Sequence, residues 1–197
     1  KVVGCEIPSS MAKRSTTDTE IYFGGVNGDF FAYEAPCGTT IIDGQFAFTP
    51  AGAGGGRRHG GVDADGKGVT AYTHTYSMQV QIPDETVLTI NHVNGDRLEN
   101  ELVLYNHHKD ATTKTNAYGT EVKIQLLEGE TWKTTGTMKA KVLAKEENVG
   151  SMPLAADYAV LSGHGSMQKE LNKLNVGDEL TLTFEMRLDD ELVNVAQ

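Results

Sequence analysis

Alternation of apolar and polar residues recurs along most of the chain and predicts a protein built mainly from β-strands. The pattern is clearest at 131–143 and 180–184, and it places the apolar side chains of each segment on one face of a sheet. One helix is predicted at 166–174, with Ser166 as its N-cap. Shorter strands are predicted at 21–26, 39–42, 45–48, 69–80, 86–90, 102–105, 121–126 and 157–161. We therefore expect an α+β protein that is predominantly antiparallel β.

Turn signals separate these segments. Asn27-Gly28-Asp29 follows the first predicted strand, and Asp43-Gly44 separates 39–42 from 45–48. The Asn94-Gly95 dipeptide predicts a type I′ hairpin, because that turn needs positive φ at both central residues. The spacing of strands over roughly 76–192 is typical of a small barrel or sandwich.

A glycine-rich stretch interrupts the pattern at 51–68, where eight of 18 residues are glycine. Such a composition buries little apolar surface and predicts a mobile loop or linker. The expected organisation is an N-terminal part over 1–50, a linker and connecting strand over 51–75, and a β-rich subdomain over 76–197.

Charge and hydropathy exclude two classes of function. The 197-residue chain has 17 Lys and Arg against 27 Asp and Glu, a formal net charge of −10 that repels nucleic-acid backbones. No apolar run approaches the roughly 20 residues of a membrane-spanning helix. We therefore expect neither a nucleic-acid partner nor a membrane span.

The two cysteines, Cys5 and Cys37, leave two interpretations open. A single disulfide would suit an exported protein, whereas two free core thiols fit the same count. Their spacing matches no zinc pattern, and no metal or other cofactor is expected.

The segment from Gly61 to Lys67 imitates two ligand-binding loops. It resembles a phosphate loop, but Gly68 occupies the position of the required hydroxyl residue and a β-like run follows. It also resembles half of a calcium loop, without the bidentate glutamate. A plain solvated turn is the better interpretation.

Several polar residues are candidates for a site. Arg57 and Arg58 could hold a phosphate or carboxylate, although a solubilising pair is the simpler interpretation. Asp29 and Asp43 lie in turns near aromatic residues, where a carboxyl could serve in acid–base chemistry or bond the backbone. His164 lies in a glycine-flanked turn and could be functional or structural.

The adjacent His107 and His108 have a simpler interpretation. Neighbours in a regular strand point to opposite faces, so they could not share one ligand from a strand. We expect them to be histidines of a surface loop.

Several of these fragments occur in an order that resembles the phosphodiester glycosidase family. Its named member uncovers mannose 6-phosphate by removing N-acetylglucosamine, and its bacterial relatives are mostly exported or surface proteins. The resemblance covers about residues 22–184. The fragments are Gly25-Val-Asn-Gly-Asp-Phe-Phe31, Pro36-x-Gly38, Ile42-Asp-Gly44, Ile90-Asn91, Arg97, Leu102-Val-Leu-Tyr105, Thr115-Asn-Ala-Tyr-Gly-Thr-Glu-Val122, Ala159-Val-Leu-Ser-Gly-His-Gly165 and Leu174-x-Val-Gly-Asp178.

The resemblance implies part of a sugar–phosphate site. Asn27, Gly28 and Asp29 would contribute to it, with Asp43 as a second carboxylate. Arg57 and Arg58 would hold the phosphate, and a carboxylic acid would protonate the leaving oxygen. Glu121 and His164 match family positions, and His164 is taken as a substrate-binding candidate.

The family's later motifs do not occur in this sequence, including a Pro-Arg-Thr turn and an Asp-Gly-Gly-Gly-Ser loop. The chain is therefore expected to represent the front half of the family scaffold with an inserted β subdomain, with part of the site missing.

Two hypotheses about function follow from the resemblance. The first is an extracellular or cell-surface protein related to hydrolases of sugar–phosphodiester bonds, with a carbohydrate or sugar-phosphate ligand. The second is a non-catalytic extracellular structural or assembly subunit on the same scaffold. In either case an exposed strand edge would favour self-association or a partner chain.

Overall fold

The computed structural model describes residues 6–22, 31–32, 35–50 and 59–195. Strands make up 43% of the structure and helices 9%, and the strand pairs are mostly antiparallel, which confirms the predicted α+β class dominated by antiparallel sheet. The helices are α1 (Pro8–Ser15) and α2 (Ser166–Asn172). No helix among the described residues is long and apolar enough to cross a bilayer.

Strands follow one another along almost the whole described chain. They are β1 (Phe31–Ala32), β2 (Ala35–Pro36), β3 (Thr40–Ile42), β4 (Gln45–Phe48), β5 (His59–Val62), β6 (Gly68–Ala71), β7 (His74–Gln81), β8 (Val87–Thr89), β9 (His92–Val93), β10 (Leu102–Tyr105), β11 (Thr120–Leu126), β12 (Gly136–Glu147), β13 (Ala159–Gly163), β14 (Glu179–Leu188) and β15 (Glu191–Leu192).

One curled, half-barrel sheet dominates the described residues. Its strand order is β8-β7-β14-β12-β11-β13-β10-β9, with β15 added to β14. The long strand β14 joins two parts of the sheet, because it pairs with β7 on one side and with β12 on the other. The short pairs β1–β2, β3–β4 and β5–β6 form separate two-stranded sheets.

Alternation along the long strands builds the main core. Burial in β7 and β12 changes with nearly every residue, so one face of the sheet is apolar and the other is largely solvated. Helix α2 places Leu171 in this core. The largest fully buried members include Phe46, Met78, Leu102, Leu104, Ile124, Met138, Leu161 and Phe184.

The opposite face of β10, β13 and β11 is covered by loops and carries a smaller core. Val103, Tyr105 and Val160 pack there with Met152. The strand register aligns Val103, Ser162 and Glu121 in one row across the three strands. This row therefore mixes an apolar residue with a hydroxyl and a carboxylate, all of them buried.

The buried carboxylate of Glu121 holds the covering loops to the sheet. One oxygen, Oε1, accepts hydrogen bonds from the hydroxyls of Ser162 (3.0 Å) and Thr115 (2.9 Å). The other, Oε2, accepts from the backbone N–H of Met152 (2.9 Å) and the hydroxyl of Thr113 (3.2 Å). We call these five residues the Glu121 network. Because each oxygen has two donors, the desolvated charge is compensated by hydrogen bonds.

Two buried asparagines attach the β3–β4 hairpin to the sheet. The Asn94 side-chain amide donates to the carbonyl of Ala47 (2.8 Å), and that of Asn106 donates to the carbonyl of Phe46 (2.8 Å). Asn94 also donates to the side-chain oxygen of Asn106 (2.6 Å). These bonds satisfy strand carbonyls that would otherwise be buried without partners.

The hairpin predicted at Asn94-Gly95 is wrong. Strands β9 and β10 on either side of the dipeptide pair in parallel, so residues 94–101 form a connection rather than a tight turn. Asn94 has φ of 58°, but its side chain is fully buried between Ala47 and Asn106. Asn94 therefore contributes the hydrogen bonds of its side-chain amide as well as a backbone with positive φ.

Three other local predictions differ from the structure. Within the predicted 51–68 loop, His59–Val62 pairs with Gly68–Ala71, and Asp63 forms the turn by accepting the N–H groups of Asp65 and Lys67. Ser166 is the first residue of α2 and not its N-cap, since its N–H is bound by Asn100. Helix α1 was not predicted, because its short apolar pattern buries none of its residues.

Replacing Glu121 by alanine should destabilise the protein strongly. The change leaves three hydroxyls and one N–H without their acceptor, and we expect the free energy of unfolding to fall by about 3–5 kcal/mol. Urea unfolding followed by tryptophan fluorescence measures this. Glu146, exposed and opposite Glu121 in the β11–β12 ladder, provides the control. Glu146→Ala should change the stability by less than about 0.5 kcal/mol, and equal losses for the two variants would contradict the assignment.

Candidate functional site

The turn between β3 and β4 carries Asp43, one of the predicted catalytic residues. Ile42 pairs directly with Gln45, so Asp43 and Gly44 form a two-residue turn, as the sequence predicted. Both have positive φ (50° and 73°), which the right-handed twist of a hairpin favours. A side chain on Gly44 would approach the backbone carbonyl of Trp132 at 3.5 Å, so the turn packs against that segment.

Asp43 lies at the edge of a cavity of about 400 Å³, which we call the Asp43 cleft. The β3–β4 hairpin, the end of β11 and the 130–132 segment bound it. Its polar and aromatic lining comprises Asp43, Gln45, Gln125, Glu130, Thr131, Trp132 and Asp157. The Gln125 amide is fixed by donating to the backbone carbonyl of Asp157 (3.2 Å).

The Asp43 cleft is acidic. Three of its lining residues are carboxylates, and none of the described lining residues is a lysine or arginine. The Nζ atom of Lys133 lies 3.8 Å from Oε2 of Glu130, so one of the three carboxylates has a cation nearby. Carboxylates and amides bind hydroxyl groups, and the face of an indole packs against apolar C–H surfaces. The lining therefore suits a neutral polyhydroxylated ligand better than an anion.

The His107–His108 pair lies beyond the end of β10, and the charge of Asp43 affects the pKa of both side chains. The two rings have centroids 4.0 Å apart, and His108 is buried. Burial lowers the pKa of both imidazoles, that of His108 to about 4, while the Asp43 carboxylate acts in the opposite direction. The prediction of a loop was right, but His108 is not on the surface.

His164 lies far from Asp43. It follows β13, whereas Asp157 of the Asp43 cleft precedes the same strand. A five-residue strand extends about 17 Å, so the two candidates lie at opposite ends of it. The His164 ring stacks on Tyr118 with centroids 6.5 Å apart, and its backbone N–H binds the Glu101 carbonyl (3.2 Å).

The remaining predicted site residues lie outside the described part of the chain. They are Asn27, Gly28, Asp29, Arg57, Arg58 and Cys5. Cys37 is half-buried and forms no disulfide within the described residues. The substrate-binding roles of Asn27, Gly28, Arg57 and Arg58, the catalytic role of Asp29 and the Cys5–Cys37 disulfide stay predictions.

A histidine pair that the sequence did not reveal joins three separate elements. His74 of β7 is buried, and its Nδ1 lies 2.9 Å from Nε2 of His59 in β5. Its Nε2 lies 2.9 Å from the hydroxyl of Thr39, just before β3. Burial, with a smaller contribution from His59, lowers the pKa of His74. Their elements belong to separate sheets, so tertiary packing brings these residues together and no local sequence signal could have identified them.

No cluster of three or more metal-ligating side chains occurs within the described ranges. The histidine pairs described above therefore have no third ligand there.

Comparisons with known proteins show likeness of fold alone. No family model matches the sequence, and no curated protein matches it. A solved structure described as a "Putative exported protein" from Burkholderia pseudomallei has a TM-score of 0.56 and 15% identity over 81% of this chain. A hypothetical protein from Synechocystis has a TM-score of 0.53 and 16% identity, also over 81%.

This chain spans about a third of the length of these structures, 35% of the first and 28% of the second. The resemblance to phosphodiester glycosidases is therefore unconfirmed and stays a hypothesis.

His108 should make the stability depend on pH. Its pKa is near 6.5 unfolded and about 4 folded, so the unfolded state binds more protons between these values. Its contribution is complete above pH 6.5 and is lost as the pH falls towards 4. We expect His108→Gln to lose less stability than the wild type over this window, measured by urea unfolding. Lys169→Gln, at an exposed position of α2, should behave as the wild type, and identical losses in all three would contradict the prediction.

Proposed function

We propose that this chain binds the sugar part of a carbohydrate ligand in the Asp43 cleft, as part of an exported or cell-surface protein related to hydrolases of sugar–phosphodiester bonds. The observation that carries the proposal is the lining of the cleft. A predicted catalytic carboxylate shares a cavity of about 400 Å³ with an indole, two amides and two further carboxylates. Carboxylates and amides can accept hydrogen bonds from sugar hydroxyls, and an indole can pack against the apolar C–H groups of a sugar ring.

In this proposal, different residues would contact different parts of a sugar phosphodiester. Three carboxylates favour the neutral sugar and disfavour the phosphate. The phosphate would be held by Arg57 and Arg58, which the sequence indicates as its clamp. Asp43 would act at the anomeric carbon, with Glu130 or Asp157 as the second carboxylate that glycoside hydrolysis requires.

Export is supported by the fold neighbour from Burkholderia pseudomallei, whose description includes export. The family resemblance favours the same location. Two cysteines that could form a disulfide are consistent with an oxidising compartment.

Substitutions in the Asp43 cleft should weaken sugar binding. We expect saturation-transfer NMR to detect N-acetylglucosamine on the wild type, and Trp132→Ala and Asp43→Asn each to weaken its binding about tenfold or more, as loss of one stacking or charge-assisted contact would. Asp65→Asn, at an exposed turn outside the cleft, is the control for lost negative charge. Equal binding by all variants, or no binding by the wild type, would contradict the proposal.

The same variants separate a catalytic from a non-catalytic role. Release of N-acetylglucosamine from its 1-phosphodiester by the wild type, abolished by Asp43→Asn, would establish hydrolysis. Binding without release would identify a non-catalytic sugar-binding module.

An assembly role is the second candidate, and the end of the main sheet supports it. Strand β8 pairs with β7 and ends the sheet, and its Val87 side chain is 52% exposed. The strand has three residues, which limits a partner to a few main-chain hydrogen bonds.

A charged side chain introduced at the edge strand β8 should weaken self-association. We expect Val87→Lys to lower the mass measured by light scattering at high protein concentration, because an edge lysine opposes strand pairing. Thr137→Lys, at an exposed position of the internal strand β12, is the control. A wild type that is monomeric at every concentration would exclude the assembly role.

A further inference from the structure

A second cavity lies on the loop-covered face of the sheet, between the 95–97 and 109–116 segments. Its volume is about 350 Å³, and it shares no lining residue with the Asp43 cleft. Its charged lining comprises Asp96, Arg97, Lys109, Asp110 and Lys114, with Tyr105 at its side. We call this cavity the Arg97 pocket. Cations outnumber carboxylates in its lining, although the chain as a whole carries a net charge of −10.

The guanidinium of Arg97 is fixed by the Glu121 network. Its Nη1 donates to the hydroxyl of Ser162 (2.8 Å), which in turn donates to Glu121. Its Nη2 donates to the backbone and side-chain oxygens of Asn116 (3.0 and 2.7 Å). The buried Nε has no hydrogen-bond partner among the described residues. A buried donor without an acceptor is uncommon in a folded protein, and its usual partner is an ordered water or a bound ion.

Lys109 lines the same cavity, and its ammonium also has hydrogen-bond donors to spare. It donates to the backbone carbonyl of Asn94 (2.7 Å) and lies 5.8 Å from the centre of the Tyr105 ring. An ammonium has three N–H donors, so two remain for another acceptor. Burial lowers the pKa of Lys109, while the carboxylate of Asp96 acts in the opposite direction.

The other charges of the pocket are partly matched. Lys114 forms an ion pair with Asp110, and the charge of Arg97 is attracted to that of Glu121. The charges of Asp96 and Asp110 both favour the ammonium form of Lys109, whereas the charge of Lys114 disfavours it. Because Lys109 is half-buried and Asp110 is also paired with Lys114, the ammonium of Lys109 still favours an additional anionic acceptor.

We propose that the Arg97 pocket binds a small oxyanion, a phosphate or carboxylate group, between Arg97 and Lys109. Arg97 supplies a rigid, permanently charged donor that its network cannot reorient, and Lys109 supplies a mobile ammonium. Thr113 and Thr115 belong to both the pocket lining and the Glu121 network. An anion bound there therefore contacts the layer of loops that the network holds on the sheet. This proposal is independent of sugar binding in the Asp43 cleft.

Titration of the isotope-labelled protein at constant ionic strength tests the site. Inorganic phosphate and acetate are the two probes, and they distinguish a phosphate from a carboxylate ligand. We expect at least one of them to cause saturable shifts of backbone amide signals confined to residues 95–97, 105 and 109–116. Shifts that stay linear with concentration, or that spread evenly over the surface, for both probes would overturn the proposal.

Variants of Lys109 test the assignment of the donors. Lys109→Met keeps the length of the side chain and removes the charge, and we expect it to weaken binding about tenfold or more. Lys109→Arg should retain binding, which separates loss of charge from loss of structure. Lys169→Met, which removes an exposed lysine of α2, should bind as the wild type. Unchanged binding by Lys109→Met would overturn the proposal, whatever the sugar experiments show.

Discussion

The loop-covered face of the sheet depends on one buried carboxylate. Glu121 accepts four hydrogen bonds, two of which come from the covering segment at Thr113 and Thr115 and one from the backbone of Met152. Without it, the hydroxyls beneath the loops would be desolvated and unpaired, and the face of β10, β13 and β11 would have to be solvated. The same carboxylate fixes Arg97 through Ser162. The stability of this layer and the geometry of the Arg97 pocket therefore have a common origin.

The two cavities differ in the charges of their lining residues, although both belong to one acidic chain. The Asp43 cleft concentrates carboxylates around an indole and offers acceptors to hydroxyl groups. The Arg97 pocket has a guanidinium fixed by hydrogen bonds and a half-buried ammonium in one lining. Because the sheet is one layer thick, residues that are neighbours along a strand serve different faces: Leu104 packs in the main core, and Tyr105 lines the Arg97 pocket.

Local patterns in the sequence were enough to predict the strands but not the contacts between distant segments. The alternation at 180–184 identifies a strand because burial on one face leaves a period of two, and the short apolar run at 102–105 identifies a strand that is buried on both faces. The Asp43-Gly44 turn was predictable for a different reason: few residue types adopt positive φ, and Asp and Gly are among those that do. In contrast, Asn94-Gly95 carries a hairpin signal that is overridden by the buried amide of Asn94. The Thr39–His74–His59 contacts and the approach of Asp43 to Trp132 depend on tertiary structure, to which short-range patterns do not respond.

The position of β14 in the main sheet has a consequence for the order of folding. In sequence it follows every other strand of the main sheet except β15, at Glu179–Leu188, yet it is the strand that connects the β7–β8 pair to the other strands. During synthesis on a ribosome, the two portions of the sheet can form only separately until this segment has emerged. Long-range pairing of this kind closes a loop of about a hundred residues and is intrinsically slow. The nascent chain thus exposes the edges of β7 and β12 that later pair with β14 until this segment has emerged.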